Sequence, residues 1–415
     1  MDILRISTAG SVDDGKSTLI GRLLFDNHAL TKEQQELVRQ KTIEKGMSDL
    51  DFSVITDGLI AEREQGITID VAHIYFSTGQ RKFIIADSPG HVEYTRNMVT
   101  GASNAEISII LIDARKGLLE QSYRHFFISQ LLRMENVIFC INKMDLVDYS
   151  EDIFLKIAAD IKHMVDSSQY HIPEIHIIPI SSLKGDNVVH ASGNTPWYQG
   201  ATLNTLLHTI SSSSAGLRSF RMEVQQVLHV QNDEFADFRG ITGRINEGEI
   251  ETGASVKILP SGKEAKIKEI RKFESIMKKA QKGDSVVIRL DRDVDVSRGA
   301  LLVKPGEEPG EARTVNATVV WLDEEEGRTG NKYHIQAGSR LNQAKLQQIQ
   351  YMVPPENPGL KLETSKLALN DIAKIELRLA SPLYLDTFTD NRANGVFILI
   401  NAQTHNTCAV GFVEN

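Results

Sequence analysis

Cysteine is scarce in this chain: Cys140 and Cys408 are the only two in 415 residues. Both lie in apolar, strand-like runs, "VIFCI" and "TCAVGF". That excludes a disulfide framework and reads as two buried thiols in a reducing compartment. Long apolar runs are missing too. None approaches the roughly 18 residues that a membrane-spanning helix needs. The opening "MDILRISTAG" has no basic region followed by an apolar one, so no secretory signal is read and a cytoplasmic location is expected. Positive charge is also short. A formal net charge of -9 argues against a dedicated nucleic-acid binder. Apart from the serine run "SSSSAG" there is no low-complexity tract and no internal repeat.

The length exceeds what one core serves, so two to three domains are expected. Up to about residue 210, short apolar runs ("LRIST", "HIYFS", "KFIIAD", "ISIILID", "NVIFCIN", "IHIIPIS") alternate with amphipathic stretches such as "QSYRHFFISQLLRM" and "DIFLKIAADIKHMV". This predicts an α/β layer fold with a mostly parallel sheet. The polar turn "STGQ" predicts one antiparallel hairpin. After "SSSSAG", short strands with glycine-containing turns predict β-barrels or sandwiches, with a second boundary near "VKPGEEPGEA". Beyond that linker, helical spacing is read only near "SRLNQAKLQQIQYMV" and "TSKLALNDIAK". The expected class is therefore multidomain α/β plus all-β, with an α/β domain over 1–213 and all-β domains over 217–306 and 311–415.

The stretch "GSVDDGKS" matches G-x-x-x-x-G-K-[ST] between a strand and a helix whose apolar face is Leu19, Ile20, Leu23 and Leu24. Its residues Gly10, Ser11, Val12, Asp13, Asp14 and Gly15 are expected to wrap phosphates with backbone N–H groups, continuing into Thr18. Lys16 supplies charge to the β- and γ-phosphates, and the Ser17 hydroxyl a ligand to Mg²⁺. "NKMD" ends an apolar strand, where α/β sheets place ligands. Asp145 can accept from guanine N1–H and N2–H₂, which adenine does not offer. Asn142 can reach N7 and tie the loop, the Lys143 stem can lie over the base, and Met144 completes the run. In "SSLKG" (Ser181, Ser182, Leu183), the Ser182 N–H is expected to meet guanine O6.

"DSPGH" ends another strand. Asp87 is expected to hold Mg²⁺ through water, with Ser88 and Pro89 beside it. Gly90 offers an N–H to the γ-phosphate, and His91 orients the attacking water. Thr68, in "DGLIAEREQGITID", lies where a GTPase needs a segment that reports on the γ-phosphate. Its hydroxyl can complete the Mg²⁺ shell.

The run "GITID … DSPGH … NKMD" resembles the translation-factor class of GTPases, relatives of elongation factor Tu. Within that class, "GSVDDGKSTLIGRLLFD", "DGLIAEREQGITIDVAHIYF", "FIIADSPGHVEYTRNMVTGAS", "ILIDARKG", "INKMDLVDY", "DFRGITGRI", "DVSRGALL" and "NRANGVFILI" are similar to the GTPase subunit of the bacterial heterodimeric ATP sulfurylase. The resemblance covers essentially the whole chain and implies a P-loop GTPase domain followed by two β-barrels. It implies GTP/GDP and Mg²⁺ as cofactors. It also implies a small catalytic subunit that binds ATP and sulfate and makes adenylyl sulfate and pyrophosphate, driven by GTP hydrolysis here. Ser88 stands where Thr is usual, and Ser182 where Ala is common. Some relatives carry a fused adenylylsulfate kinase, which is not expected here because the chain stops at Asn415. The alternative is a translation factor that binds aminoacyl-tRNA. The lysine-rich stretch 263–282 would be its RNA face, against the plainer reading of a solvated barrel edge.

Overall fold

The computed structural model describes residues 2–44, 46, 50–55, 72–87, 98–99, 102, 105–168, 172, 174–211, 219–230, 238–273, 275–355, 357 and 359–415. The chain forms two compact units, one of residues 1–214 with 354–360, the other of 215–353 with 361–415.

In the first unit, six strands form one sheet: β1 (Ile3–Ala9), β2 (Ala72–Ser77), β3 (Lys82–Asp87), β4 (Ile107–Asp113), β5 (Asn136–Asn142) and β6 (Glu174–Pro179). Their order is β2-β3-β1-β4-β5-β6. All neighbours are parallel except β2 and β3, the antiparallel hairpin that "STGQ" foretells. β4 and β5 are buried at every residue, as strands covered on both faces must be. The described helices are α1 (Lys16–Asp26), α2 (Lys32–Glu44), α3 (Glu120–Leu131), α4 (Glu151–Asp166) and α5 (Leu203–Thr209). In α1 the expected face of Leu19, Ile20, Leu23 and Leu24 is buried. α4 starts on Ser150, whose hydroxyl accepts from the Ile153 N–H. The sheet direction brings the C-terminal ends of β1, β3, β4 and β5 to one edge, and the polar motifs follow those ends.

The second unit holds two six-stranded antiparallel barrels. The first ring runs through strands Ser255–Leu259, Leu301–Val303, Arg221–Glu223, Phe238–Glu247, Ser285–Leu290 and Lys263–Lys272, and closes where the last pairs with the first. The second is a closed barrel built on strands Gly310–Trp321, Lys332–Ala337, Arg340–Met352, Ile372–Leu385, Val396–Asn401 and Thr407–Val413. Arg221 of the first barrel binds both oxygens of Asp386 of the second at 2.9 Å, and Glu223 accepts the Ser339 N–H at 2.8 Å. These are buried, bidentate or backbone contacts, the kind that fix geometry.

Three readings change. Residues 339–353 contain strand Arg340–Met352, not a helix. Register shifts at Leu346/Gln348 and Ile349/Tyr351 break its period of two, so buried Ala344, Leu346 and Ile349 imitate helical spacing. Residues 364–374 form a two-residue strand, a turn with Asn370 at φ 71, and the start of Ile372–Leu385. The lysine-rich strand Lys263–Lys272 pairs on two sides, with Ser255–Leu259 and with Ser285–Leu290. Its lysines therefore guard no simple open edge. Lys266 and Lys268 take outward positions between buried Ala265, Ile267 and Ile270. The linker serines 212–214 lie outside the described residues.

Gly21 tests the packing of α1. A Cβ there would lie 2.6 Å from both Cβ and O of Phe52. Helix propensity alone favours Ala over Gly by about 1 kcal/mol. The overlap is with backbone, which cannot swing aside, so Gly21→Ala is expected to lower the melting temperature. A rise would contradict the packing.

Candidate functional site

The phosphate end is built where β1 feeds α1. Gly15 precedes the helix at φ 89, and Asp13 also has positive φ, 67. A Cβ on Gly15 would stand 2.6 Å from Asn142 Nδ2, so glycine is required by conformation and by space. α1 has no side-chain cap and no acidic residue in its first turn, which leaves its N-terminal N–H groups to an anion. Ser17 and Thr18 sit in that first turn. Ser11 donates its N–H to Asp14 Oδ2 at 2.7 Å, which holds the loop in shape. Gly10 passes close to Leu111, where a Cβ would lie 3.2 Å from the leucine Cβ. Val12 sits half-buried in the same loop.

Lys16 is buried and pairs with Asp87 at the end of β3. Thr8 donates to the same carboxylate oxygen at 3.1 Å. The other oxygen, Asp87 Oδ2, is buried and has no hydrogen-bond partner among the described residues. A carboxylate oxygen left in that state beside a phosphate loop suits a cation. With the Ser17 hydroxyl, the donors are hard oxygens of the type Mg²⁺ takes alongside phosphates. Thr68, Ser88, Pro89, Gly90 and His91 lie outside the described residues.

The base end is organised by Asn142, the last residue of β5. Its Nδ2 donates to Asp14 O at 2.7 Å and its Oδ1 accepts the Ser182 N–H at 2.9 Å. One side chain thus joins the phosphate loop to the loop after β6. The Ser182 N–H, expected to meet guanine O6, is committed to Asn142 instead. Lys143 has φ 64 and begins a short 3-10 turn, Met144–Val147. Its Nζ donates to Asp13 O and, at 3.0 Å, to Asp113 Oδ2, which lays the stem across the space beside the phosphate loop. Met144 is fully buried and donates its N–H to Ile180 O at 3.2 Å. Ser181 donates its hydroxyl to Asp145 Oδ1 at 2.6 Å, orienting the carboxylate.

Sequence reasoning missed Asp113, Thr8 and Arg22. Asp113 ends β4 in register with Asn142 on β5, and it anchors both Lys143 and Arg115. Burial alone would push its carboxyl up, but the hydrogen bonds from Arg115 and Lys143 hold it well below the usual range. An acid at the end of a neighbouring parallel strand was the available signal. Arg22 lies on α1, where a helical arginine has nothing in sequence to mark it. Its Nε donates to Ser182 O at 3.3 Å and its Nη2 to Leu183 O.

Residues 1–252 match the family described as elongation factor Tu GTP binding domain, and residues 314–414 that described as GTP-eEF1A C-terminal domain-like. The chain is 42% identical to sulfate adenylyltransferase subunit 1 of Psychromonas ingrahamii, over 100% of this chain and 87% of that protein. It is 44% identical to the protein of the same name in Chromobacterium violaceum, over 99% and 86%. A bifunctional enzyme CysN/CysC of Rhodopirellula baltica is 42% identical over 99% of this chain and 63% of that protein.

Asp14 gives a pH test. It is buried, and burial pushes its carboxyl up to about 6 despite the Ser11 N–H. A carboxyl raised in the folded state is protonated more readily there than in the unfolded chain. Its contribution is present in full below the ordinary value of 3.8 and is lost as pH rises through about 6. Asp14→Asn is therefore expected to gain melting temperature over the wild type as pH rises from about 4 to 8. A gap that stays constant across that range would remove Asp14 as a titrating group.

Proposed function

The chain belongs to the sulfate adenylyltransferase subunit 1 family, within the elongation factor Tu type of GTPase, and on that premise we propose how it uses its nucleotide. It is the GTPase subunit of sulfate adenylyltransferase and serves sulfate activation. We read the domain limits as 1–213, 217–306 and 311–415.

Guanine is read by Asp145, which accepts from N1–H and N2–H₂ and is oriented by Ser181. The Lys143 stem covers the base plane while Asp113 and Asp13 hold its ammonium. The phosphates lie in the loop from Gly10 to Thr18, where Lys16 exchanges its Asp87 partner for the β- and γ-oxygens. Mg²⁺ held by Ser17, Thr68 and Asp87 would neutralise charge building on those oxygens. His91 orients the attacking water, and the Gly90 N–H holds the γ-phosphate until cleavage releases it. The observation that carries this reading is the Asn142 junction, which places the phosphate loop and the base-reading loop in one hydrogen-bonded frame.

The sulfate chemistry belongs to a separate small catalytic subunit, which binds ATP and sulfate in the cytoplasm and releases adenylyl sulfate and pyrophosphate. Forming the phosphosulfate anhydride is uphill. A nucleotide can shift that equilibrium only by differential affinity between two states. The GTP and GDP forms of this subunit must therefore contact the partner differently, through the segments that carry Thr68 and Gly90. The full-length relatives above bear a sulfate enzyme's name, and no observation here favours the aminoacyl-tRNA alternative.

The direct test is GTP turnover by the purified chain with its catalytic partner. Turnover is expected to rise only with ATP and sulfate present, together with adenylyl sulfate. Stimulation by ribosomes or aminoacyl-tRNA, with no response to sulfate, would overturn the reading. Asp145→Asn is expected to lose GTP and gain xanthosine triphosphate, whose C2 carbonyl can accept from the new amide. An unchanged preference in a binding competition would remove Asp145 from base reading. His91→Ala is expected to slow single-turnover hydrolysis by roughly 10²-fold with little change in GTP affinity. Equal losses in both would point to a structural histidine.

A further inference from the structure

Arg22 is not part of any nucleotide-binding motif, yet it holds the loop that follows β6 through several contacts. It follows Lys16 and Ser17 on α1 by less than two turns. Its guanidinium reaches two consecutive carbonyls, Ser182 O through Nε at 3.3 Å and Leu183 O through Nη2. The remaining nitrogen, Nη1, stands 3.4 Å from Asp26 Oδ1. The Phe52 ring lies against the cation, with its centroid 4.6 Å from Cζ. Gly185, at φ 89, brings the loop so near that a Cβ there would lie 3.3 Å from Nη1. The group is therefore seated by an acid, a ring and two carbonyls, and only 15% of its side chain is exposed.

The consequence follows from peptide geometry. The Ser182–Leu183 bond is trans, so its N–H points opposite its C=O. With Ser182 O turned to Arg22, the Leu183 N–H is turned away from α1. The Ser182 N–H is already given to Asn142. Leu183 thus offers the next loop N–H for a purine oxygen at C6, and its direction is set by Arg22. We propose that Arg22 is a positioning residue for base recognition, aiming the Leu183 N–H at guanine O6 by clamping the carbonyls of Ser182 and Leu183 to α1. This rests on the guanine site described above.

Arg22 acts on one edge of the base, whereas Asp145 reads another, and the test separates them. Inosine triphosphate keeps O6 and lacks the N2 amine. 6-Thioguanosine triphosphate keeps the amine and replaces O6 with a poor acceptor. Wild type is expected to prefer GTP over both. Arg22→Gln is expected to weaken GTP binding roughly 10- to 100-fold, the loss of a hydrogen bond from a charged donor. In that variant the preference for GTP over the 6-thio analogue collapses, while the preference over inosine triphosphate persists. Arg22→Lys keeps the charge but not the two-pronged fork, and is expected to fall between. It also serves if the Gln variant does not fold. A merely structural role would weaken all three nucleotides alike, and that result would overturn the proposal. A wild type with no preference for GTP over inosine triphosphate would instead overturn the reading of Asp145 itself.

Discussion

The two loops expected to hold the nucleotide are tied together by two hydrogen bonds of the Asn142 side chain, one to the Asp14 carbonyl and one from the Ser182 N–H. Asn142 lies 128 residues from Asp14 in sequence and 40 from Ser182, so the two loops it joins are far apart along the chain. Neither loop is regular structure, and each would otherwise choose its own conformation at a cost in backbone entropy. A buried amide with one donor side and one acceptor side couples them through a single rigid strand end. It also explains Gly15, since any larger residue would displace the Asn142 amide.

The surrounding charges serve the same frame. Asp113 takes Lys143 and Arg115, so the Lys143 ammonium is held in place beforehand, and Asp87 keeps Lys16 paired. Asp87 keeps one buried oxygen unpartnered among the described residues, which suits the Mg²⁺ proposed there. The barrels are locked to one another differently, by Arg221 with Asp386 and Glu223 with the Ser339 backbone. Those contacts fix one barrel on the other.

The α/β strands were legible because each is a short apolar run ended by a polar motif, as "NVIFCIN" shows. The phosphate loop and "NKMD" were legible because their chemistry is local in sequence. Residues 340–352 were misread because two bulges turned strand spacing into helical spacing. α2 went unread because only Val38 and Thr42 of its thirteen residues are buried, which leaves almost no apolar stripe to detect. The roles of Asp113, Thr8 and Arg22 are set by strand register and by loop carbonyls, which no linear spacing encodes. The Ser182 N–H was assigned to the base because the competing acceptor, Asn142 Oδ1, is distant in the chain and adjacent only in the fold.

Amide hydrogen exchange in the nucleotide-free protein tests the central junction most directly. Asn142→Asp keeps the acceptor for Ser182 but turns an oxygen toward the Asp14 carbonyl. The account predicts faster exchange both in residues 11–18 and in residues 181–185, whereas Asp145→Asn leaves residues 11–18 as in the wild type. Unchanged protection of residues 11–18 in Asn142→Asp would contradict it, because the phosphate loop would then hold its shape without Asn142.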